Sequence, residues 1–251
     1  MSLRIRIAAL SDPGRRRPRN EDAFLVDHEI GLAVVADGMG GHRAGDVASA
    51  LAVEELHRSL ADQGSQVPLG ERIAGAVIAA DRRIRTEAAE SREREGMGTT
   101  LTALLLARGD ARIVIAHVGD SRAYLVQEGR IRQLTRDHTW VQEQVDAGAI
   151  PASQARGHPH AHILARALGV GDPVAPDLLE CDARPSDVYL LCSDGLTNML
   201  TDEAMERIVR ESATLGLDAS ARALVDAANA AGGIDNVTVV LAEVEQTTRA
   251  G

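Results

Sequence analysis

Short aliphatic runs closed by glycine-bearing turns recur along the chain, while helical periodicity is confined to a few grouped stretches. That grouping constrains the fold more than any other feature. A regular run–helix–run alternation would build a parallel sheet; without it, antiparallel pairing is favoured, with helices laid on the outside. Apolar segments at Arg4–Leu10, Ala23–Asp27 and Leu32–Ala36 are separated by Pro-Gly and Glu-Ile-Gly breaks and read as strands. An Ala-rich helix follows from Ala44 to Leu60, with Val53, Leu56 and Leu60 on one stripe. In the next helix Leu69, Ile73, Ala76, Val77, Ala80 and Ile84 recur on one face. Both are expected to lie on a sheet.

From Thr99 to Leu134 the runs Leu101–Leu106, Ile113–Val118, Ala123–Val126 and Ile131–Leu134 read as an antiparallel meander, with Arg108-Gly109-Asp110 and Glu128-Gly129-Arg130 as its hairpin turns. The stretch 137–171 breaks the rhythm with a short helix at Trp140–Ala147 and then Gly, Pro and His residues, and reads as an inserted flap. A strand at Val188–Cys192, helices near Asp202–Arg210 and Ala219–Ala230, and a strand at Val237–Val244 complete the reading. The expectation is an α+β fold of two antiparallel sheets flanked by helices, in one domain covering 1–251.

The acidic excess, 37 against 27 basic residues for a formal charge of -10, disfavours general affinity for nucleic acid or anionic membranes. Arg4 and Arg6 interrupt the only apolar stretch near the start, so no signal peptide is read, and no run of about 18 apolar residues could span a bilayer. Cys181 and Cys192 show no metal-ligand spacing and are expected to be reduced. Cytoplasm is the expected compartment.

Apolar runs end on aspartate at Asp37, Asp120 and Asp194, and Asp235 opens the last strand. Any one of these alone is better read as a turn cap. Together they place carboxylates at strand ends, where a sheet can aim side chains into one cleft. Two unit charges about 4 Å apart repel by roughly 4 kcal/mol at an effective dielectric near 20, so cations must compensate. All-oxygen donors select Mg²⁺ or Mn²⁺ over zinc, and Gly38, Gly40 and Gly41 would let backbone carbonyls and water approach an ion.

The segments Arg17-Pro18-Arg19-Asn20-Glu21-Asp22, Asp37-Gly38-Met39-Gly40-Gly41-His42, Gly98-Thr99-Thr100, Val118-Gly119-Asp120-Ser121-Arg122, Leu134-Thr135-Arg136-Asp137-His138, Arg166-Ala167-Leu168-Gly169, Ser193-Asp194-Gly195-Leu196-Thr197 and Asp235-Asn236-Val237-Thr238 occur in this order across nearly the whole chain. In that order they resemble the PPM, or type 2C, protein phosphatases, particularly the bacterial members. The resemblance implies a β-sandwich covered by helices on both sides and hydrolysis of phosphoserine and phosphothreonine. It implies that Asp37 bridges two tightly bound Mn²⁺ or Mg²⁺ ions, with the Gly38 carbonyl on one and Asp194 and Asp235 on the other. Asp120, sharing Asp194, would hold a weaker third ion. Glu21 and Asp22 would act in the outer shell, and Arg17 would grip the substrate phosphate. The implied reaction is direct attack by a hydroxide held between two ions about 3.5 to 4 Å apart, with Asp37 and Asp194 essential to it.

The sequence departs from some relatives at Met39, where they carry a histidine that could act as general acid; His42 follows it, and the proton donor is left open. His158, His160 and His162 are read as exposed flap residues rather than a transition-metal site, Trp140 and Tyr124 as core, and Cys192 as an inert thiol on an apolar strand. The alternatives are a catalytically inactive regulatory relative or a hydrolase of small phosphate esters. The expected partners are phosphorylated proteins, among them a eukaryote-like serine/threonine kinase and its substrates.

Overall fold

The computed structural model describes residues 2–40, 44–61, 66–107 and 111–247. Strands β1 (Ser2–Asp12), β7 (Arg122–Gln127), β8 (Arg130–Gln133), β10 (Val188–Cys192) and β11 (Val237–Thr247) form one antiparallel sheet in the order β1-β11-β10-β7-β8. Strands β2 (Asp22–Asp27), β3 (Leu32–Met39), β5 (Leu101–Leu106), β6 (Arg112–Val118) and β9 (Asp177–Asp182) form the other, with the short β4 (Gly98–Thr99) added to β3.

The aliphatic runs are continuous because both faces of each sheet are covered. Along β3, Leu32, Val34 and Ala36 pack under helices α1 (Gly45–Leu60) and α2 (Leu69–Glu90), while Ala33 and Val35 point the opposite way, into the layer between the sheets. The helical stripes read from the sequence are the buried faces: Ile73, Ala76, Val77, Ala80 and Ile84 on α2 are all within this outer core. On the far side α5 (Asp202–Ser212) and α6 (Leu217–Ala230) cover the first sheet with Met205, Val209, Leu224, Val225 and Ala228. Burying one such side chain contributes about 1.5–3 kcal/mol. The result is a helix–sheet–sheet–helix sandwich, as the sequence leads one to expect.

The meander reading needs correction. The pairs β5–β6 and β7–β8 form as read, but β6 and β7 lie in different sheets. The turn between them crosses the sandwich at Gly119, whose φ of 107° and close approach to Thr100 leave no room for a side chain: a Cβ would lie 2.6 Å from it. The β7–β8 turn does have two residues at positive φ, Glu128 (52°) and Gly129 (74°), as a tight hairpin requires. Strand β9 was not expected, since only Leu179 and Cys181 of its residues are partly buried. The flap contains α3 (Trp140–Asp146), capped by Thr139, whose hydroxyl accepts from Gln142 N–H at 3.2 Å.

Trp140 is not in the core. It is 36% exposed and packs against the rings of His158 and His160, whereas Tyr124 is fully buried as expected. The Arg108-Gly109-Asp110 turn, Gly41 and His42 lie outside the described residues. Among the described residues no helix is long and apolar enough to cross a membrane.

Candidate metal centre

The centre forms where β3 changes partner. After Val35 the strand leaves β5, and from Gly38 it pairs with β4. Asp37 therefore lies within β3 rather than beyond its end, directly opposite Asp22 of β2. Thr100 fixes the Asp37 backbone on both sides: its hydroxyl accepts from Asp37 N–H and its N–H donates to Asp37 O, each at 2.9 Å. Thr99 Oγ1 also donates to Asp37 O at 2.9 Å.

Gly38 has a packing reason of its own. A Cβ there would fall 2.1 Å from Gly45 O and 2.5 Å from Glu21 O, so glycine is needed where β3 meets the start of α1. Glu21 O also accepts from Gly38 N–H at 3.1 Å and from Ser49 Oγ at 2.6 Å.

The other sheet supplies the remaining acids. Asp194 is the first residue of the one-turn helix α4 (Asp194–Thr197), after β10; Asp235 precedes β11; Asp120 follows the Gly119 crossover. Asp22 ties the sheets together, its Oδ2 accepting from Thr238 Oγ1 at 2.6 Å and Ser193 Oγ at 2.8 Å. Asp194 Oδ2 accepts from Asn198 Nδ2 at 3.0 Å. Asp22 Oδ1 and Asp194 Oδ1 are buried without a hydrogen-bond partner.

Burial and mutual repulsion act together on these groups. Asp22 is pushed up to about 7 by burial, opposed by the Thr238 and Ser193 hydroxyls and reinforced by Asp194 and Asp235. Asp120 is pushed up to about 8 by burial and then by Asp194. Burial, followed by Asp22, Asp194, Asp120 and Asp235, holds Asp37 well above the usual carboxylate range, and Asp194 is raised by burial and then Asp235. The four aspartates singled out in the sequence thus share one electrostatic field, and Asp22 belongs to it as well.

Among the described residues no three acidic, histidine or cysteine side chains stand as a ready-made ligand set. What fits divalent cations is the donor chemistry: oxygens alone, the orphaned atoms of Asp22 and Asp194, and an uncompensated negative field.

Arg17 brings a positive charge to Asp235, its Nη2 donating to Asp235 Oδ2 at 2.7 Å while half the side chain stays exposed. Asp235 Oδ1 accepts from Asn236 N–H at 2.9 Å. Asn236, not singled out from the sequence, organises the loop that carries Arg17. Its Nδ2 donates to Pro13 O and Arg19 O at 3.0 and 2.8 Å, and its Oδ1 accepts from Glu21 N–H at 2.8 Å. Asn236 and Ser193 each adjoin a motif aspartate and Thr238 closes the motif that Asp235 opens, which is the signal that could have found them.

A cavity of about 550 Å³ opens between this centre and the flap, lined by Asp120, Asp194, Asn198, Arg156 and His162 among others. Arg122, also on its wall, is committed to Asp137 in a two-pronged pair at 2.8 and 2.6 Å. Met39 is half-buried and packs against Gly98, its Cε 3.0 Å from where a Cβ on that glycine would lie. His158 Nδ1 accepts from His160 N–H at 3.1 Å, a turn contact of the flap. Cys192 is fully buried and its thiol is pushed up to about 12 by burial, as an inert structural cysteine requires.

The arrangement has close counterparts. A family model described as Protein phosphatase 2C matches residues 15–227. The Serine/threonine phosphatase stp of Listeria monocytogenes is 40% identical over 245 residues, covering 95% of this chain and 96% of that protein. The Serine/threonine protein phosphatase PstP of Mycobacterium tuberculosis is 41% identical over 244 residues, of which this chain spans 46% of the length. The crystal structure of that mycobacterial phosphatase superposes with a TM-score of 0.89 at 40% identity, covering 98% of this chain and 100% of that one. The catalytic domain of PstP in complex with two manganese ions gives 0.85 at 39% identity, over 97% and 100% of the two chains.

Proposed function

The chain belongs to the protein phosphatase 2C family and is a metal-dependent serine/threonine protein phosphatase, and on that premise we propose how its own residues divide the work. Asp37, the Gly38 carbonyl, Asp194 and Asp235 would hold two Mn²⁺ or Mg²⁺ ions, Asp120 with Asp194 a weaker third, and Glu21 and Asp22 would orient the outer shell. Bound divalent ions supply charge neutralisation and Lewis-acid activation of water. The observation that carries this reading is the shared field of Asp37, Asp22, Asp194, Asp120 and Asp235, with orphaned oxygens on Asp22 and Asp194.

Arg17 has the geometry of a phosphate anchor. Half of its side chain is exposed beside Asp235, and a guanidinium can face two phosphoryl oxygens at once. Transfer of the phosphoryl group to water, rather than to a side chain, is supported by how the neighbouring nucleophiles are occupied. Cys192 is buried and protonated, and His117 and His138 spend both ring nitrogens on hydrogen bonds. The cavity beneath the flap is of a size to admit a phosphorylated side chain and its flanking peptide. The proposed substrates are those of a eukaryote-like serine/threonine kinase.

The test is calorimetric Mn²⁺ titration together with phosphothreonine-peptide turnover for Asp37→Asn, Asp194→Asn and Asp120→Asn. The first two should abolish turnover and weaken the tight ions, and the third should weaken only the loosest. Wild-type ion binding in Asp37→Asn would refute the assignment.

A further inference from the structure

His138, in the segment that enters the flap, holds both polar groups of the residue before Asp120. Its N–H donates to Gly119 O at 2.7 Å, and its ring Nδ1 accepts the Gly119 N–H at 3.1 Å. A ring nitrogen that accepts carries no proton, so the neutral ring is protonated on Nε2. Nε2 donates to Asp177 Oδ2 at 3.1 Å, and Arg166 grips the same carboxylate, Nη1 on Oδ1 at 2.8 Å and Nη2 on Oδ2 at 3.3 Å. Arg166 lies in the returning limb of the flap, where Ala165 N–H donates to His138 O at 2.8 Å and Leu168 bridges to Thr99.

We propose that Arg166, Asp177 and His138 form a positioning relay through which the flap fixes the Gly119–Asp120 turn, and with it the setting of Asp120 against Asp194. The proposal rests on the reading of Asp120 as an ion ligand. Its physical core is the tautomer of His138: a carboxylate on Nε2–H leaves a lone pair on Nδ1, the only form that can receive the Gly119 N–H. Without Asp177 the other tautomer becomes accessible, and in it two N–H groups face each other. Gly119 is seated beside Thr100, where an added Cβ would lie 2.6 Å from that side chain, so the turn that carries Asp120 is closely packed.

Neighbouring groups do not compete for the relay. His117 packs its ring against His138 at 4.6 Å, but its nitrogens are engaged by Thr102 and Arg136 O. Asp137 is taken by Arg122. Arg166 and Asp177 are 40% and 46% exposed, so solvent screens part of what their attraction adds to stability. Their two-pronged geometry acts instead through the buried imidazole.

The experiment compares the full chain with Asp177→Ala, Asp177→Asn, Arg166→Leu and Asp120→Asn. Imidazole ¹⁵N shifts report the His138 tautomer without any metal, and Mn²⁺ titration and kcat report the consequence. Asp177→Ala is expected to mix the tautomers, to weaken the loosest Mn²⁺ site about 10-fold or more, and to lower kcat with KM little changed. Excess Mn²⁺ should restore the rate. Asp177→Asn, whose amide oxygen still accepts from Nε2–H, should recover most of both, and Arg166→Leu should fall between. A native tautomer in Asp177→Ala would overturn the relay. So would a mixed tautomer with native Mn²⁺ affinity and kcat, provided Asp120→Asn still weakens the loosest ion. If Asp120→Asn leaves every ion in place, the ligand reading of Asp120 fails instead, and the relay, as a device for positioning a ligand, falls with it.

Discussion

Arg17 and Asp235, 218 positions apart, are bonded to each other: Nη2 donates to Oδ2 at 2.7 Å. The resemblance assigns the first to phosphate and the second to metal, and the structure makes them neighbours. An ionised carboxylate has about four lone-pair sites, so Asp235 can serve an ion, the Asn236 N–H and the guanidinium together. On that assignment the acid would aim the arginine, and phosphate and metal sites would be coupled through one side chain.

Arg17→Ala should therefore raise KM for a phosphothreonine peptide by about 10- to 100-fold, the worth of a charge-assisted hydrogen bond of about 1.5–3 kcal/mol. Arg17→Lys should recover only part of it, because an ammonium cannot form the two-pronged contact. Steady-state kinetics at saturating Mn²⁺ decide; an unchanged KM and kcat would remove Arg17 from the site.

The repulsion among Asp22, Asp37, Asp120 and Asp194 predicts a large stabilisation by cations. At 100 times its Kd, one Mn²⁺ adds about 2.7 kcal/mol, which for a chain of this size corresponds to about 5 to 11 °C in Tm. In chelator, Asp37→Asn should melt above the native protein, since it removes one charge from the cluster; in Mn²⁺ the order should reverse. Differential scanning calorimetry in both conditions checks the pair of signs.

Asp177 gives the pH dependence a defined window. Arg166 first, and then His138, outweigh its burial and hold its carboxyl down to about 2. A depressed folded value contributes stability that is present above the ordinary carboxylate range near 4 and lost as pH falls toward 2. Acid unfolding of Asp177→Asn should accordingly be flatter than native across that interval, with the curves parallel above about pH 5. Equal slopes throughout would show that the Arg166 contact does not persist in solution.

At Met39 the sulfur side chain packs on Gly98 and offers no proton. Cleavage of substituted phenyl phosphates should then depend steeply on leaving-group basicity, and Met39→His should flatten that dependence, general acids contributing about 10²- to 10⁴-fold when well placed. A shallow native slope would show that another group already donates.

The covered faces of the sandwich were legible because burial on both sides writes itself as unbroken aliphatic runs, as along β3 and β5. The stripes of α1 and α2 were legible because only one face of each helix is buried, which writes itself as a period of about 3.6. The sheet exchange at Gly119 was not, since a turn that crosses between sheets and one that closes a hairpin use the same residues. Nor was β9, an edge strand whose Asp177, Leu178, Glu180 and Asp182 face solvent. Trp140 was misplaced because an aromatic in a helical stretch normally marks a core, whereas here histidine rings receive it. In the site, the aspartates stood out by position after apolar runs. Asn198 did not, because an amide in a loop has no distinguishing pattern until its partner's location is known, while Asn236 and Thr100 lay within the motif segments with no role attached to them.

The full-length pairing of β1 with β11, from Ser2 opposite Thr247 to Asp12 opposite Val237, has a consequence for when this enzyme becomes one. β1 must wait, unpaired at the sheet edge, until β11 has been made. Such distant pairings form slowly. Asp235, just ahead of β11, can meet Arg17 only when that ladder closes. During synthesis the helices α1 and α2 can settle on β2 and β3 early, yet the nascent chain has no completed catalytic centre. Activity is thus withheld from any nascent chain that still lacks β11 and is acquired in the same event that seals the sandwich.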